Sequence, residues 1–137
     1  MSPEEVEYVR EGYRLFAEGD PAFLDRYAHD ATISVPETLP QGGTYASPFE
    51  ALEFWTTSGE LFEGARPEPE EFIRDGDRLV VLGRFHGRSR ATGQEVAIPF
   101  VHVLRLTGAD GPVSDHKYTR LDVFIDTAAL LAALGDG

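Results

Sequence analysis

An α+β fold, with helices gathered on one face of an antiparallel sheet, is predicted for this 137-residue chain by three observations. Apolar residues in the N-terminal half recur mostly at helical spacing, whereas those from Glu70 onward follow strand-like runs. The later runs are separated by "DGD", "RATGQ" and "TGADG", turn signals that fold neighbouring strands into hairpins. Helices first and strands afterwards, rather than in alternation, is the order of an α+β domain.

The elements follow in turn. "SPEEVEYVREGYRLFAEGD" opens with Ser2 as N-cap, Pro3 at the first helical position and Glu5 closing a capping box. Val6, Val9, Tyr13 and Phe16 then make one apolar face, and Gly19 stops the helix. "DPAFLDRYA" predicts a second, short helix capped by Asp20, with Phe23, Leu24 and Tyr27 inward. "DATISVPE" reads as a short strand ended by Pro36, and residues 37–46 read as a loop. "SPFEALEFWTTSGELF" repeats the capping logic with Ser47, Pro48 and Glu50. "RPEPEEF" reads as a prolyl connector. "EEFIR", "RLVVLGRFHGRS", "EVAIPFVHVLRL" and "PVSDHKYTRLDVFID" are the four antiparallel strands, and "DTAALLAALG" closes the chain as a helix capped by Asp126.

Composition narrows the function. A length of 137 residues suits one domain, 1–137, around a single core. The hydrophobic content of 42% is that of a globular chain. With 24 acidic against 12 basic residues the net charge is −12, which disfavours nucleic acid and anionic membrane surfaces as partners. The basic stretch of Arg84, Arg88 and Arg90 with His86 reads as a solvated hairpin, with an anion contact as the sharper alternative. No apolar run approaches the about 20 residues of a membrane span. The acidic start "MSPEEVEYVR" is unlike a signal peptide, so a cytoplasmic location is expected. No cysteine is present, which removes thiolate catalysis and cysteine-ligated metals. His29, His86, His102 and His116 lack ligand spacing, so no metal site is expected. No glycine-rich phosphate loop and no nucleophile elbow is found, so any chemistry is expected to be cofactor-free acid–base catalysis.

Three segments carry a resemblance: "YRLFAEGDPAFLDRYAHDATISVPE", "DRLVVLGRFHGRSRATGQEVAIPFVHVLRL" and "DGPVSDHKYTRLDVFIDTAALLAAL". With the element order, they resemble the nuclear-transport-factor-2-like superfamily, and within it the SnoaL-like and ketosteroid-isomerase-like branch. The resemblance covers nearly the whole chain. It implies a cone-shaped curved antiparallel sheet wrapped around N-terminal helices, with an internal cavity open at one end and acid–base groups on the strands that line it. It also implies a homodimer paired through the convex sheet face. The superfamily hosts isomerases, cyclases, dehydratases, epoxide hydrolases, assembly modules and non-catalytic binders, so fold alone does not decide between them. Carried over residue by residue, the isomerases' base position falls at Val35, which takes no proton, with Glu37 on the same strand parity. Their pocket tyrosine falls near Gly12, one residue before Tyr13, and their oxyanion aspartate falls at His102.

His102 shares its strand face with Ile98, Phe100, Leu104 and Leu106. It is either a satisfied core histidine or a pocket acid, base or donor. In the last strand, simple alternation puts His116, Tyr118, Arg120, Asp122 and Phe124 in one row. That row lines the cavity in one register and faces solvent or a dimer partner in the register slipped by one residue. An Arg120–Asp122 pair would lower the Asp122 pKa, and an apolar pocket would raise it. The expectation is a hydrophobic small molecule in the cone, with His102 and Asp122 as catalytic acid–base groups. Tyr13, Phe16, Tyr27, Trp55, Phe100, His116, Tyr118 and Arg120 are expected to bind the substrate. The reaction class expected is isomerisation, cyclisation, dehydration or epoxide opening. A non-catalytic ligand-binding or assembly module with the same cone is the alternative.

Overall fold

The structure is a computed structural model that describes residues 1–135. Helix α1 (Pro3–Ala17) begins as its sequence dictates, with the Ser2 hydroxyl accepting from the Glu5 amide at 3.2 Å. The next segment differs from expectation: Pro21–Arg26 is a 3₁₀ turn rather than an α-helix. Asp20 caps it, and strand β1 (Tyr27–Val35) already begins at Tyr27, leaving a six-residue connector of the kind in which 3₁₀ geometry is common. A three-residue strand, β2 (Gly43–Tyr45), interrupts the expected loop. Helix α2 (Pro48–Leu61) is capped by Ser47. Four long strands follow: β3 (Phe62–Asp75), β4 (Arg78–Ser89), β5 (Glu95–Thr107) and β6 (Lys117–Ile125). Helix α3 (Thr127–Leu134) starts under the Asp126 cap and ends at Gly135, whose φ of 98° is the left-handed geometry of a helix stop.

The six strands form one sheet in the order β2-β1-β6-β5-β4-β3. Every pairing is antiparallel except β1 with β6, which is parallel, so the sheet is mixed at that one seam. The sheet is curved and unclosed, and with the helices it makes the cone. The prolyl connector expected at 66–72 is instead part of β3. Its prolines are tolerated because β3 is an edge strand, where a missing N–H costs no ladder bond, and bulges flank them. Two basic residues of β4 meet acids of β3: Arg84 meets Glu70 at 3.7 Å and His86 meets Glu68 at 3.0 Å. For these two residues that is the solvated-hairpin reading.

Inside the cone, Ile33, Leu79, Val81, Phe100, Leu104 and Leu121 form the body of the core, with Val9 of α1 packed on them. A second cluster, with Phe62, Ile98, Leu130 and Ala133, joins α3 to the sheet at its other end. Close packing of the sheet is visible at Gly83. A Cβ there would lie 2.2 Å from the Glu68 carbonyl oxygen and 2.7 Å from the Phe100 ring, so only glycine lets β3 and that ring approach.

Candidate functional site: a dyad in an apolar cone

Strand β5 keeps an unbroken alternation. Ile98, Phe100, Leu104 and Leu106 are buried on the inner face, and His102 shares their row. Across the cone, helix α1 brings Tyr13 down onto that row. The Tyr13 hydroxyl lies 2.6 Å from His102 Nδ1. The Phe100 ring stacks on the imidazole at 4.1 Å, and the Tyr13 ring, nearly parallel to it with centroids 5.7 Å apart, reaches Nδ1 through its hydroxyl. Phe100 is therefore not on the cavity wall, as expected for a substrate contact, but behind it. It is 3% exposed and fixes the plane of the imidazole.

Two chambers meet at this dyad, sharing His102, Phe16, Phe23, Trp55, Pro67 and Leu121 as a common wall. The larger, of about 410 Å³, is otherwise lined mainly by apolar groups such as Phe54, Phe62, Phe85, Val123, Ile125 and Leu130. The smaller, of about 60 Å³, is the narrow end, where Tyr13, Tyr27, Tyr118 and Arg26 converge. Trp55, Phe16 and Phe23 form a mutually edge-on aromatic trio, with centroids 5.0 to 5.5 Å apart, between the two. Among the described residues no carboxylate lines either chamber.

The electrostatics follow from this setting. Burial without a countercharge pushes the His102 pKa down to about 3, so the imidazole is neutral across the physiological range. The same desolvation raises the Tyr13 and Tyr27 phenols well above their ordinary range, each helped by a neighbouring phenol. Tyr118 is pushed up to about 12 by burial, a rise that the Arg26 charge partly offsets. Tyr27 and Tyr118 touch edge to face at 5.1 Å where β1 meets β6.

The last strand corrects the sequence reading. The β5–β6 ladder pairs Leu106 with Tyr118 but Arg105 with Arg120, so Thr119 is an extra residue, a β-bulge. Before the bulge the even-numbered Tyr118 faces the interior. After it, the odd-numbered Leu121, Val123 and Ile125 do. Arg120 and Asp122 therefore sit on the convex face and pair with each other at 2.9 Å. Asp122 is not in the cavity, and neither is Arg120. His116 is also elsewhere: it follows the turn Val113–Asp115, is buried against Tyr8, and sits 3.3 Å through Nε2 from the Gly111 carbonyl oxygen. Tyr13, Phe16, Tyr27, Trp55 and Tyr118 do line the cavity.

Arg26 is the wall residue that sequence reasoning missed. Arginine is rarely buried, yet this one is only 8% exposed. The available signal was Gly12 in the middle of α1, where glycine costs helix stability unless something must come close. A Cβ at Gly12 would lie 3.3 Å from the Arg26 guanidinium.

A curved sheet folded over helices around an aromatic-lined cavity defines a protein of the nuclear-transport-factor-2-like, ketosteroid-isomerase-like class. The chain belongs to the SnoaL-like domain family, whose model matches residues 9–116. Among solved structures it is similar to an NTF2-like protein of unknown function from Burkholderia pseudomallei, at 28% identity, 98% coverage of both chains and a TM-score of 0.81. It is also similar to TerC co-crystallised with polyporic acid, at 27% identity, covering 96% of this chain and 98% of that one, with a TM-score of 0.80. A protein from Jannaschia described as a SnoaL-like polyketide cyclase shares the fold at 18% identity, covering 100% of this chain and 97% of that one, with a TM-score of 0.76. No curated protein matches the chain significantly. No helix among the described residues is long and apolar enough to cross a membrane.

Proposed function

We propose that the cone binds a hydrophobic, ring-bearing small molecule and moves a proton on it, with the Tyr13–His102 dyad as the working pair. The observation that carries this reading is the dyad itself: a 2.6 Å hydrogen bond facing a mainly apolar cavity. The direction of the Oη···Nδ1 hydrogen bond follows the tautomer of the neutral imidazole, the phenol keeping its own proton in both cases. When the phenol donates, His102 keeps a proton on Nε2 and is a hydrogen-bond donor. When Nδ1 donates, Nε2 is free to accept a proton. One bifunctional group can thus take a proton from a carbon acid, while the phenols of Tyr27 and Tyr118 donate to the oxygen that gains charge. Isomerisation, cyclisation and dehydration by enolisation fit this set. Epoxide opening by an Asp–Arg–Asp arrangement does not, because Arg120 and Asp122 lie outside the cone. Co-crystallisation of the 27%-identical TerC with polyporic acid supports a small organic ligand here. The same reading pairs two copies through the convex face, where Phe124 is 57% exposed.

The test uses an aromatic carbon acid, 2-tetralone, in D₂O. Binding is read from Trp55, the single tryptophan of the chain, which lines both chambers. Catalysis is read as deuterium entering the carbons beside the ketone. Saturable quenching with exchange faster than in buffer is the expected result. Quenching with no acceleration favours the second reading, a non-catalytic binder, which the lack of a carboxylate on the described cavity wall and the weak basicity of His102 support.

A further inference from the structure

We infer that the narrow end of the cone is an anion subsite built on Arg26, so that the ligand is an aromatic acid whose ionised oxygen (carboxylate, phenolate or enolate) seats there. This rests on the binding reading above and deepens it. Among the described residues Arg26 is the only buried side chain with a permanent charge. A buried cation is costly unless it is paired, and the pairing seen is incomplete. The guanidinium donates to the Tyr8 carbonyl and lies 3.7 Å over the Tyr8 ring. The carboxylate near it, Glu11, is 3.8 Å away and about half exposed, so water screens it.

On its other side Arg26 borders the narrow chamber, where Tyr27 and Tyr118 add phenolic donors and no carboxylate competes. The wall is mostly apolar, and its polar members are Arg26, three tyrosines and the neutral His102, so its one charge is positive. Size agrees with this. About 60 Å³ is room for a carboxylate or a ring oxygen, whereas a six-membered ring needs a cavity of about 150 Å³. The ring therefore stays in the larger chamber beside the Trp55 trio, and only its charged oxygen reaches the guanidinium. Charge-assisted hydrogen bonds in such a desolvated end are stronger than neutral ones. Gly12 is part of the device, because it leaves the space that the guanidinium occupies.

The experiment compares two probes of the same shape, 2-naphthoate and its neutral amide 2-naphthamide, by titration calorimetry near neutral pH. Wild type is expected to bind the naphthoate about tenfold tighter or more. Arg26→Met is expected to bind both alike, at the wild-type affinity for the amide. Equal affinities in wild type, or a naphthoate preference that survives Arg26→Met, would overturn the Arg26 subsite while leaving the cavity reading intact. Failure of both probes to bind wild type would remove both. If Arg26→Met does not fold, Arg26→Gln gives the same readout, since it keeps a polar donor without the charge and should lose the preference. An undiminished preference in Arg26→Gln would overturn the proposal.

Discussion

Tyr13 and His102 stand 89 positions apart in the chain and meet in a 2.6 Å hydrogen bond with their rings nearly parallel, 13° apart. The contact ties helix α1 to the inner face of β5 at the point where both chambers open. Removing the hydroxyl leaves the ring in place and deletes the bond. Tyr13→Phe should therefore cost about 1 kcal/mol of stability. It should also slow tetralone exchange more than it weakens tetralone binding, because it deletes the hydrogen bond that sets the tautomer of His102 and keeps the wall. Chemical denaturation and the Trp55 titration separate the two effects.

The pH dependence of stability has a definite sign. In the unfolded chain the His102 imidazole takes up a proton near its ordinary value of 6.5, but in the fold only near 3. Between those values the unfolded chain binds the extra proton, so this contribution to stability is complete above about pH 6.5 and fades as pH falls toward 3. Glu5, lowered by its ion pair with Arg74, adds acid lability of its own, but that part is common to wild type and variant. His102→Gln should flatten the curve between about pH 3 and 6.5. Denaturant midpoints measured across that range check this, and parallel curves would contradict a buried, neutral His102.

Asp122 should behave as a surface residue. Its bonds to Arg120 are on the convex face, with side chains 25% and 44% exposed. Asp122→Asn should cost under about 1 kcal/mol and leave probe binding and exchange unchanged. A large loss of exchange activity would mean that the bulge at Thr119 is misplaced and the whole row faces inward.

Gly83 supports the site from behind. Alanine there would press its methyl into the Glu68 carbonyl and the Phe100 ring that backs His102. Gly83→Ala should destabilise by about 1 to 3 kcal/mol and perturb exchange through the imidazole's orientation. Unchanged thermal stability would show that β3 shifts freely.

The sequence was most informative where its local rules run uninterrupted. Ser2, Ser47 and Asp126 cap the helices they were expected to cap. The β5 row could be read from alternation because nothing breaks it between Ile98 and Leu106. The β6 row could not, because the bulge at Thr119 carries no glycine or proline to mark it, and one extra residue reverses every later side chain. The prolines at 67 and 69 pointed the wrong way, since edge position, a property of the whole sheet, decides whether a strand tolerates them. Arg26 was hidden by the rarity of buried arginine, and only Gly12 hinted at it.

The most direct test of the central claim is the rate of deuterium incorporation into saturating 2-tetralone by wild type and by His102→Gln, with Trp55 quenching confirming that both bind the ketone. The dyad reading predicts exchange above buffer in wild type and a loss of about a hundredfold or more in the variant, the scale of a missing acid–base group. Equal rates in the two proteins, with binding intact, would contradict it and leave the cone as a binding site without chemistry.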